Sequence, residues 1–254
     1  MKRIAILLYG TISYLIFLGT FLYAIGFIGN IAVPKSIDTG VDGGWVAALT
    51  INSLLLGVFA LQHSIMARPG FKRWLTRMIP ASAERSTYVM ASNIALIALF
   101  WAWRPMSSSL FVIESELVAN AVTGIFFSGV GLVLYSTFLI DHFDLFGLRQ
   151  VWLQLRSMPY VEKSFVTPAL YRHIRHPLYV GWFLVFWATP NMTLGHLIMA
   201  IGITGYILVA IVFEERDLCN ALGSDYASYR ERTPKFIPAL KLRSSSSGAS
   251  SRTV

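Results

Sequence analysis

Residues 177–213, PLYVGWFLVFWATPNMTLGHLIMAIGITGYILVAIVF, contain no Lys, Arg, Asp or Glu and are interrupted only by Thr189-Pro190-Asn191. Proline removes a helical hydrogen bond and disfavours helix at the residue before it. The stretch therefore predicts a helical hairpin with a short first arm, Leu178–Ala188, and a longer return arm, Thr193–Phe213. The first arm is short for a bilayer core of roughly 30 Å, so it is tilted, extended by the preceding residues, or re-entrant.

Four more uncharged stretches precede the hairpin, each long enough for about 20 helical residues: Ile4–Asn30, Gly43–Ala67, Ser86–Trp103 and Leu117–Ile140. Only 13% of the 254 residues are charged, about half the share of a soluble domain. This composition excludes a soluble, disordered or coiled-coil protein. We expect an all-α integral membrane protein of four transmembrane helices plus the C-terminal hairpin, with five to six spans. The first stretch is too long for a signal peptide, so we expect it to be retained.

The basic residues alternate between the segments that join these stretches. The N-terminus, loop 68–85, segment 141–176 and the tail from Glu214 together hold 19 Lys and Arg, whereas the two remaining loops hold 2. The positive-inside rule places the first group in the cytoplasm. We therefore expect a multi-pass protein of the bacterial inner membrane with both termini cytoplasmic. The net charge of +8 is explained by this topology, so no nucleic-acid partner is predicted.

The chain predicts one membrane-embedded domain over residues 1–243 and a low-complexity, disordered tail over 244–254. Its single cysteine, Cys219, excludes a disulfide framework and a multi-cysteine metal site. The acids near His142 are too few for a metal site. We expect no bound metal, and the sequence does not indicate an oligomeric state.

His63 lies at the inner end of the second apolar stretch, followed by Arg68. It is either an interfacial histidine beside a snorkelling arginine or a polar group that faces a cavity of the bundle. The run Phe71-Lys72-Arg73-Trp74 is typical of an amphipathic helix on anionic lipid. His142 lies between Asp141 and Asp144, where the fourth stretch ends. A carboxylate on one imidazole nitrogen raises the basicity of the other, so this group is a candidate base; simple helix-end polarity is the alternative.

Basic residues collect before the hairpin, where Pro177 suits the first turn of a helix and Gly181 permits a close backbone approach. A helix N-terminus attracts carboxylates and other anions. The hairpin brings Glu214-Glu215 at its other inner end to the same place. The juxtaposition predicts a site for a zwitterionic ligand that carries a carboxylate, an ammonium and hydroxyls; positive-inside flanking is the alternative for the bases Arg172, His173, Arg175 and His176.

The spacing Arg175-His176-Pro177-x-Tyr179-x-Gly181, followed by a hairpin and Glu214-Glu215, resembles the S-adenosylmethionine-binding signature of the isoprenylcysteine carboxyl methyltransferase and phospholipid methyltransferase superfamily. This resemblance covers roughly residues 117–238, the expected cofactor-binding core. HSIMARPGFKRW at 63–74, ERSTYV at 84–89 and DHFDLFGLRQVW at 141–152 are similar to the bacterial methanethiol S-methyltransferase group, related to the NnrU-like membrane proteins.

The resemblance implies methyl transfer from S-adenosylmethionine to methanethiol, giving dimethyl sulfide and S-adenosylhomocysteine. It implies that His176, Tyr179, Gly181 and Glu214/Glu215 hold the cofactor. We expect Glu215 to contact it directly, with Glu214 in support or paired with Arg175. Arg172 and Arg175 are candidates for binding the cofactor carboxylate. The full expected cofactor set is Arg172, Arg175, His176, Pro177, Tyr179, Gly181, Glu214 and Glu215.

A thiol becomes a good nucleophile when it is deprotonated, so a base is needed near the transferred methyl group. His142, with Asp141 or Asp144 as its partner, is the first candidate, and His63 is the second. The partners expected are a small thiol, which enters from the lipid side, and the bilayer itself. Two other functions stay open: methylation of a lipid amine or prenylcysteine carboxylate, and a non-enzymatic accessory role.

Overall fold

The computed structural model describes residues 1–41, 44–161 and 164–238. Its long helices are α1 Lys2–Gly29, α2 Trp45–Ala67, α4 Glu84–Ala102, α5 Glu116–Ile140 and α9 Leu194–Leu222. The shorter helices are α3 Pro69–Leu75, α6 His142–Leu145, α7 Leu148–Leu155, α8 Pro177–Trp187 and α10 Ser224–Arg232, with 3-10 turns at Ala81–Ala83 and Ala169–Arg172. Two short strands, β1 Ser109–Val112 and β2 Asn191–Thr193, form one antiparallel ribbon.

The all-α membrane fold is confirmed, because α1, α2, α5 and α9 are each long and apolar enough to cross a bilayer. Helix α4 packs against both α1 and α2, α5 packs on α8, and α9 contacts α2, α8 and α10. The interior is filled by large side chains such as Phe27, Trp103 and Met199. Leucines such as Leu8 and Leu54 are exposed on the helix surfaces, which suits contact with lipid. The predicted 244–254 tail lies outside the described residues.

The hairpin spans the bundle from end to end. Pro177 occupies the first turn of α8, which ends at Trp187 just before Thr189-Pro190. The chain then continues extended as β2, in which Met192 pairs with Phe111 of β1 in the loop between α4 and α5. The residues after α8 therefore extend the short arm as far as the loop between α4 and α5. The sequence did not predict this ribbon.

Helix α9 extends further than predicted. It begins after Thr193, whose hydroxyl accepts a hydrogen bond from the His196 amide, and it ends at Gly223, which has a φ of 59°. The expected end at Phe213 was wrong, because the uncharged stretch marks the apolar part of the helix and not its C-terminus. Glu214 and Glu215 consequently lie within a continuous helix, which holds their backbone rigidly.

Candidate functional site

An acidic pair on α9, Glu214 and Glu215, faces the start of α8 at Pro177. We call this end of the hairpin the inner end and the end at Thr193 the outer end. Glu215 Oε1 accepts hydrogen bonds from Arg175 Nε at 2.9 Å and from His176 Nε2 at 3.0 Å. All three side chains are buried. Buried charges are retained when they are paired and hydrogen-bonded. The hairpin thus brings together the basic and acidic groups as the sequence predicted.

Arg175 also fixes the C-terminal segment over this site. Its Nη1 donates to the carbonyl oxygens of Arg230 and Thr233, the latter at 2.6 Å. The backbone amides of Arg175 and His176 donate to the carbonyls of Pro234 and Lys235. Because Nη2 reaches Glu215 as well, every guanidinium nitrogen has a protein partner.

These contacts correct two expectations about roles. Arg175 was a candidate for the cofactor carboxylate, but its guanidinium is buried and already engaged by Glu215 and two carbonyls. Glu214 was expected to support the site or to pair with Arg175, and it does not pair with Arg175. Its Oε2 instead accepts a hydrogen bond from the Tyr179 hydroxyl at 2.7 Å.

Each carboxylate of the acidic pair uses a single oxygen for these bonds. Glu215 is held through Oε1 and Glu214 through Oε2, and within the described residues the opposite oxygen of each has no recorded hydrogen-bond partner. A carboxylate has lone pairs on both oxygens. The pair can therefore accept hydrogen bonds from a ligand's ammonium or hydroxyl groups, which fits a zwitterionic ligand.

The remaining predicted cofactor residues lie at different places. Arg172 is exposed at the end of a 3-10 turn, so its charge is accessible from solvent. Near it, the Tyr229 hydroxyl donates to the Tyr171 carbonyl at 2.6 Å. Burial raises the pKa of Tyr229 to about 12, which keeps this donor protonated. Tyr229 also lines a surface cavity of about 390 Å³, together with Phe165 and Ser228.

Gly181 and Pro177 serve the packing of α8. A Cβ at Gly181 would come within 2.8 Å of the Val133 amide nitrogen and 2.9 Å of the Gly129 carbonyl oxygen. The glycine therefore lets α8 approach α5 closely. Pro177 is buried at the first turn of α8. Both residues help to place Tyr179, and their contact with the cofactor stays a prediction.

His63 lies inside the bundle among aromatic rings. Its Nε2 is 2.7 Å from the Tyr88 hydroxyl on α4, and its Nδ1 is 3.2 Å from Ser92 Oγ. The ring centroids of Phe59 and Tyr206 lie 5.3 and 6.3 Å from that of His63. Of the two interpretations left open by the sequence, the structure favours a polar group that faces the protein interior.

The surroundings of His63 lie within electrostatic range of the acidic pair. Tyr88 and Tyr206 both interact electrostatically with Glu214, and Tyr179 interacts with both of these tyrosines. We call Tyr88, Tyr179 and Tyr206 the tyrosine cluster. Arg68 adds an ion pair with Asp217 at 2.8 Å, which joins the end of α2 to α9. Of the tyrosine cluster, Tyr179 contacts the acidic pair directly, through its hydrogen bond to Glu214.

His142, the first candidate base, lies elsewhere. Its Nε2 is 2.8 Å from the Tyr14 hydroxyl and its Nδ1 is 2.8 Å from Thr137 Oγ1. Tyr14 is on α1 and Thr137 is on α5. Burial lowers the pKa of His142, although the charge of Asp141 opposes that shift. Both ring nitrogens of His142 are therefore engaged by hydroxyl groups.

The expected carboxylate partners of His142 have other functions. Asp141 Oδ1 accepts a hydrogen bond from the Asp144 amide and so caps α6. Asp144 accepts hydrogen bonds from Arg149 Nη1 at 3.0 Å and from the Tyr160 hydroxyl at 3.1 Å. The hydrogen bonds of His142 go to hydroxyls instead of carboxylates. Within the described residues, no group of three His, Cys, Asp or Glu is arranged to hold a metal ion.

Sequence reasoning missed Tyr88 and Tyr206 as candidate site residues. Tyr88 lies in the ERSTYV motif at 84–89, and Tyr206 stands in the apolar return arm eight residues before Glu214. Positions eight apart are about 80° apart around a helix with 3.6 residues per turn, which keeps both within one broad face. That periodicity, applied backward from Glu214, is the signal that points to Tyr206.

The chain is similar over most of its length to known methyltransferases. The chain is 50% identical to a methanethiol S-methyltransferase of Mycobacterium tuberculosis over 94% of its own length and 98% of that protein. It is 46% identical to a methanethiol S-methyltransferase of Pseudomonas deceptionensis over 94% of this chain and 91% of that protein. The chain belongs to the methanethiol S-methyltransferase family.

Membership of this family confirms the resemblance drawn from the motifs, and it makes the chain a thiol S-methyltransferase by class. Nurim of Danio rerio is a more distant relative, 31% identical over 73% of this chain and 70% of that protein. No family model matches the chain, and no solved structure matches it. The family thus accounts for a methyl donor and a thiol acceptor at one site.

Proposed function

We propose that the protein transfers the methyl group of S-adenosylmethionine to methanethiol, giving dimethyl sulfide and S-adenosylhomocysteine. The observation that carries this proposal is the acidic pair at the start of α8, with an open oxygen on each carboxylate, in a member of the methanethiol S-methyltransferase family. Family membership supports the acceptor, and the donor set supports a zwitterionic cofactor.

The residues present fit S-adenosylmethionine. When bound, it supplies a methyl group on a sulfonium sulfur. The open oxygens of Glu214 and Glu215 accept hydrogen bonds from its ammonium or ribose hydroxyls, while the exposed Arg172 is placed to receive its carboxylate. The negative charge of Glu214 and the faces of the tyrosine cluster favour a nearby cation. His176 and Arg175 hold the carboxylate of Glu215 in position.

The proposed base is a histidine, and the geometry favours His63 over His142. The Tyr88 partner of His63 lies within electrostatic range of Glu214, whereas the hydroxyl partners of His142, Tyr14 and Thr137, lie on α1 and α5. His142 with Asp141 and Asp144 stays a prediction, with helix-end stabilisation as the role its contacts support.

The protein is a multi-pass membrane protein by its four long apolar helices. We propose that it resides in the bacterial inner membrane as a single domain over residues 1–243, with both termini in the cytoplasm. The charged cofactor then reaches the acidic pair from the cytoplasm. A small neutral thiol partitions into lipid and reaches the same region from within the bilayer. This arrangement separates the two routes by polarity.

The test is headspace gas chromatography with mass detection on the purified protein in lipid nanodiscs. The reaction contains S-adenosylmethionine with a deuterated methyl group, together with methanethiol. We expect dimethyl sulfide that carries one labelled methyl group, formed in proportion to enzyme. Heat-treated protein is the control. A label found in phospholipid, with none in dimethyl sulfide, would indicate a lipid acceptor instead.

A further inference from the structure

An aromatic box surrounds the imidazole of His63. Its walls are Phe59, one helical turn earlier on α2, Tyr88 on α4 and Tyr206 on α9, with ring centroids 5.3, 5.0 and 6.3 Å from that of His63. Divalent sulfur is polarizable and makes favourable contacts with aromatic rings at about 5 Å. The box is thus chemically suited to a small sulfur compound.

The hydrogen bonds around the box define the proton positions on His63. The Ser92 hydroxyl donates to the Tyr88 carbonyl at 3.0 Å, so its oxygen can only accept from His63 Nδ1–H at 3.2 Å. Gln62 Nε2 donates to the same oxygen at 3.4 Å. A histidine tautomer is set by the partner of its other nitrogen. Nε2 therefore carries the lone pair and accepts from the Tyr88 hydroxyl at 2.7 Å.

This tautomer leaves the Tyr88 oxygen as an acceptor. A phenol that donates its single proton still has lone pairs for a donor on its other side. The charged and titratable groups around it come from four elements: Arg85 on α4, Arg68 at the end of α2, Tyr206 and Glu214 on α9, and Tyr179 on α8. Glu214 belongs to the acidic pair, so the box lies within electrostatic range of the proposed cofactor site.

We propose that the aromatic box binds the acceptor thiol and that Tyr88 and His63 together take its proton. The thiol S–H proton goes to the Tyr88 oxygen while the Tyr88 proton goes to His63 Nε2, which becomes imidazolium. The thiolate sulfur forms a bond to the methyl carbon, and the electron pair of the broken carbon–sulfur bond stays on the donor's sulfur. His63 then releases its proton to water.

The proposal rests on the proposed function and assigns it a substrate site. Tyr88 is the residue that touches the thiol, and His63 acts through Tyr88. Alkyl thiols are mostly protonated at neutral pH, so positioned proton transfer contributes a factor of about 100 to 10,000 in rate. The same factor is lost when either member of the relay is removed.

The test compares Tyr88→Phe and His63→Ala with wild type in nanodiscs. Turnover is measured with methanethiol from pH 7 to pH 9.5, and S-adenosylhomocysteine binding is measured by calorimetry. Tyr9→Phe is the matched control, since it removes a phenol that bonds α1 to the neighbouring Thr87 on α4 at 3.1 Å. A second acceptor, hydrosulfide, is largely ionised at about pH 8 and needs little help from a base.

We expect both relay variants to bind S-adenosylhomocysteine within threefold of wild type and to lose about 100-fold in turnover with methanethiol at pH 7. The deficit should narrow as pH rises and should be small with hydrosulfide, and Tyr9→Phe should behave as wild type.

Turnover within threefold of wild type, or an equal deficit with both acceptors, would overturn the relay. Loss of S-adenosylhomocysteine binding in the relay variants alone would move the two residues into the cofactor site and so contradict a thiol box. If the wild-type protein also failed to bind S-adenosylhomocysteine, the proposed cofactor site would instead be overturned.

Discussion

The two ends of the α8–α9 hairpin hold carboxylates in opposite ways. At the outer end, both oxygens of Asp38 are engaged, one by Asn30 Nδ2 at 2.8 Å and one by the Thr193 hydroxyl at 2.5 Å. At the inner end, Glu214 and Glu215 are each held through one oxygen. A carboxylate with both oxygens hydrogen-bonded to protein serves to hold the structure together, whereas one with an oxygen left over can still accept a hydrogen bond from a ligand.

The histidines of the hairpin show the same contrast. His196 donates from Nε2 to the Phe186 carbonyl at 2.9 Å and is buried, so it holds α8 to α9. His176 instead contacts the acidic pair. We infer that both ends contribute to stability but that only the inner end binds the ligand, and the following variants test that division.

The largest effect is expected for Arg175→Met. It leaves Glu215 buried without its guanidinium partner, and breaking such a pair costs about 3–5 kcal/mol. We expect a large fall in unfolding free energy, measured by thermal denaturation in detergent. The exposed neighbour variant Arg172→Met should leave stability unchanged.

The double variant Arg175→Met/Glu215→Leu sharpens this test, because it removes both charges together. We expect it to recover most of the lost stability while S-adenosylhomocysteine binding stays absent. A double variant no more stable than Arg175→Met would show that the cost comes from the contacts of Arg175 with the C-terminal segment.

An intermediate effect is expected for Thr193→Val at the outer end. The substitution removes the bond to Asp38 and the N-cap of α9, which costs about 0.5–2 kcal/mol. Thermal denaturation should show this loss, while S-adenosylhomocysteine affinity stays at the wild-type value. Thr123→Val, which loses only a bond within α5, should be nearly neutral. A fall in affinity for Thr193→Val would break the division between the two ends.

The smallest effect is expected for His142→Asn and depends on pH. Burial lowers the pKa of His142, so below the ordinary histidine pKa of about 6.5 the unfolded chain binds more protons than the folded one. The stabilising contribution of neutral His142 is therefore present at pH 7.5 and is lost as the pH falls through about 6.5. Between pH 7.5 and pH 5.5, we expect the melting temperature of His142→Asn to fall less than that of the wild type.

The exposed His173→Asn variant should keep the pH response of wild type. The same His142→Asn protein also decides between the two candidate bases. A turnover loss of about 100-fold at pH 7, the size expected of a general base, would make His142 the base against the geometry described above.

Much of the fold was predictable, because charge is excluded from the membrane and proline interrupts helices. The uncharged stretches and Pro190 therefore indicated the long helices and the hairpin, and the paired motifs located the acidic pair. The β1–β2 ribbon was not predictable, since it depends on which loops meet at the outer end.

Side-chain pairings were less predictable than placement along the chain. Sequence gives the depth of His142 and His63 but not their direction around the helix axis, so the preference for His142 rested on its neighbours Asp141 and Asp144. The choice of Glu215 over Glu214 as the partner of Arg175 also depends on helix rotation, since adjacent residues on a helix point about 100° apart.

Calorimetric titration with S-adenosylhomocysteine tests the central claim most directly. The account predicts that wild-type protein binds it, that Thr193→Val binds it equally well, and that Glu215→Gln binds it at least tenfold more weakly. Equal affinity of all three proteins, or no binding by wild type, would contradict a cofactor site at the inner end of the hairpin.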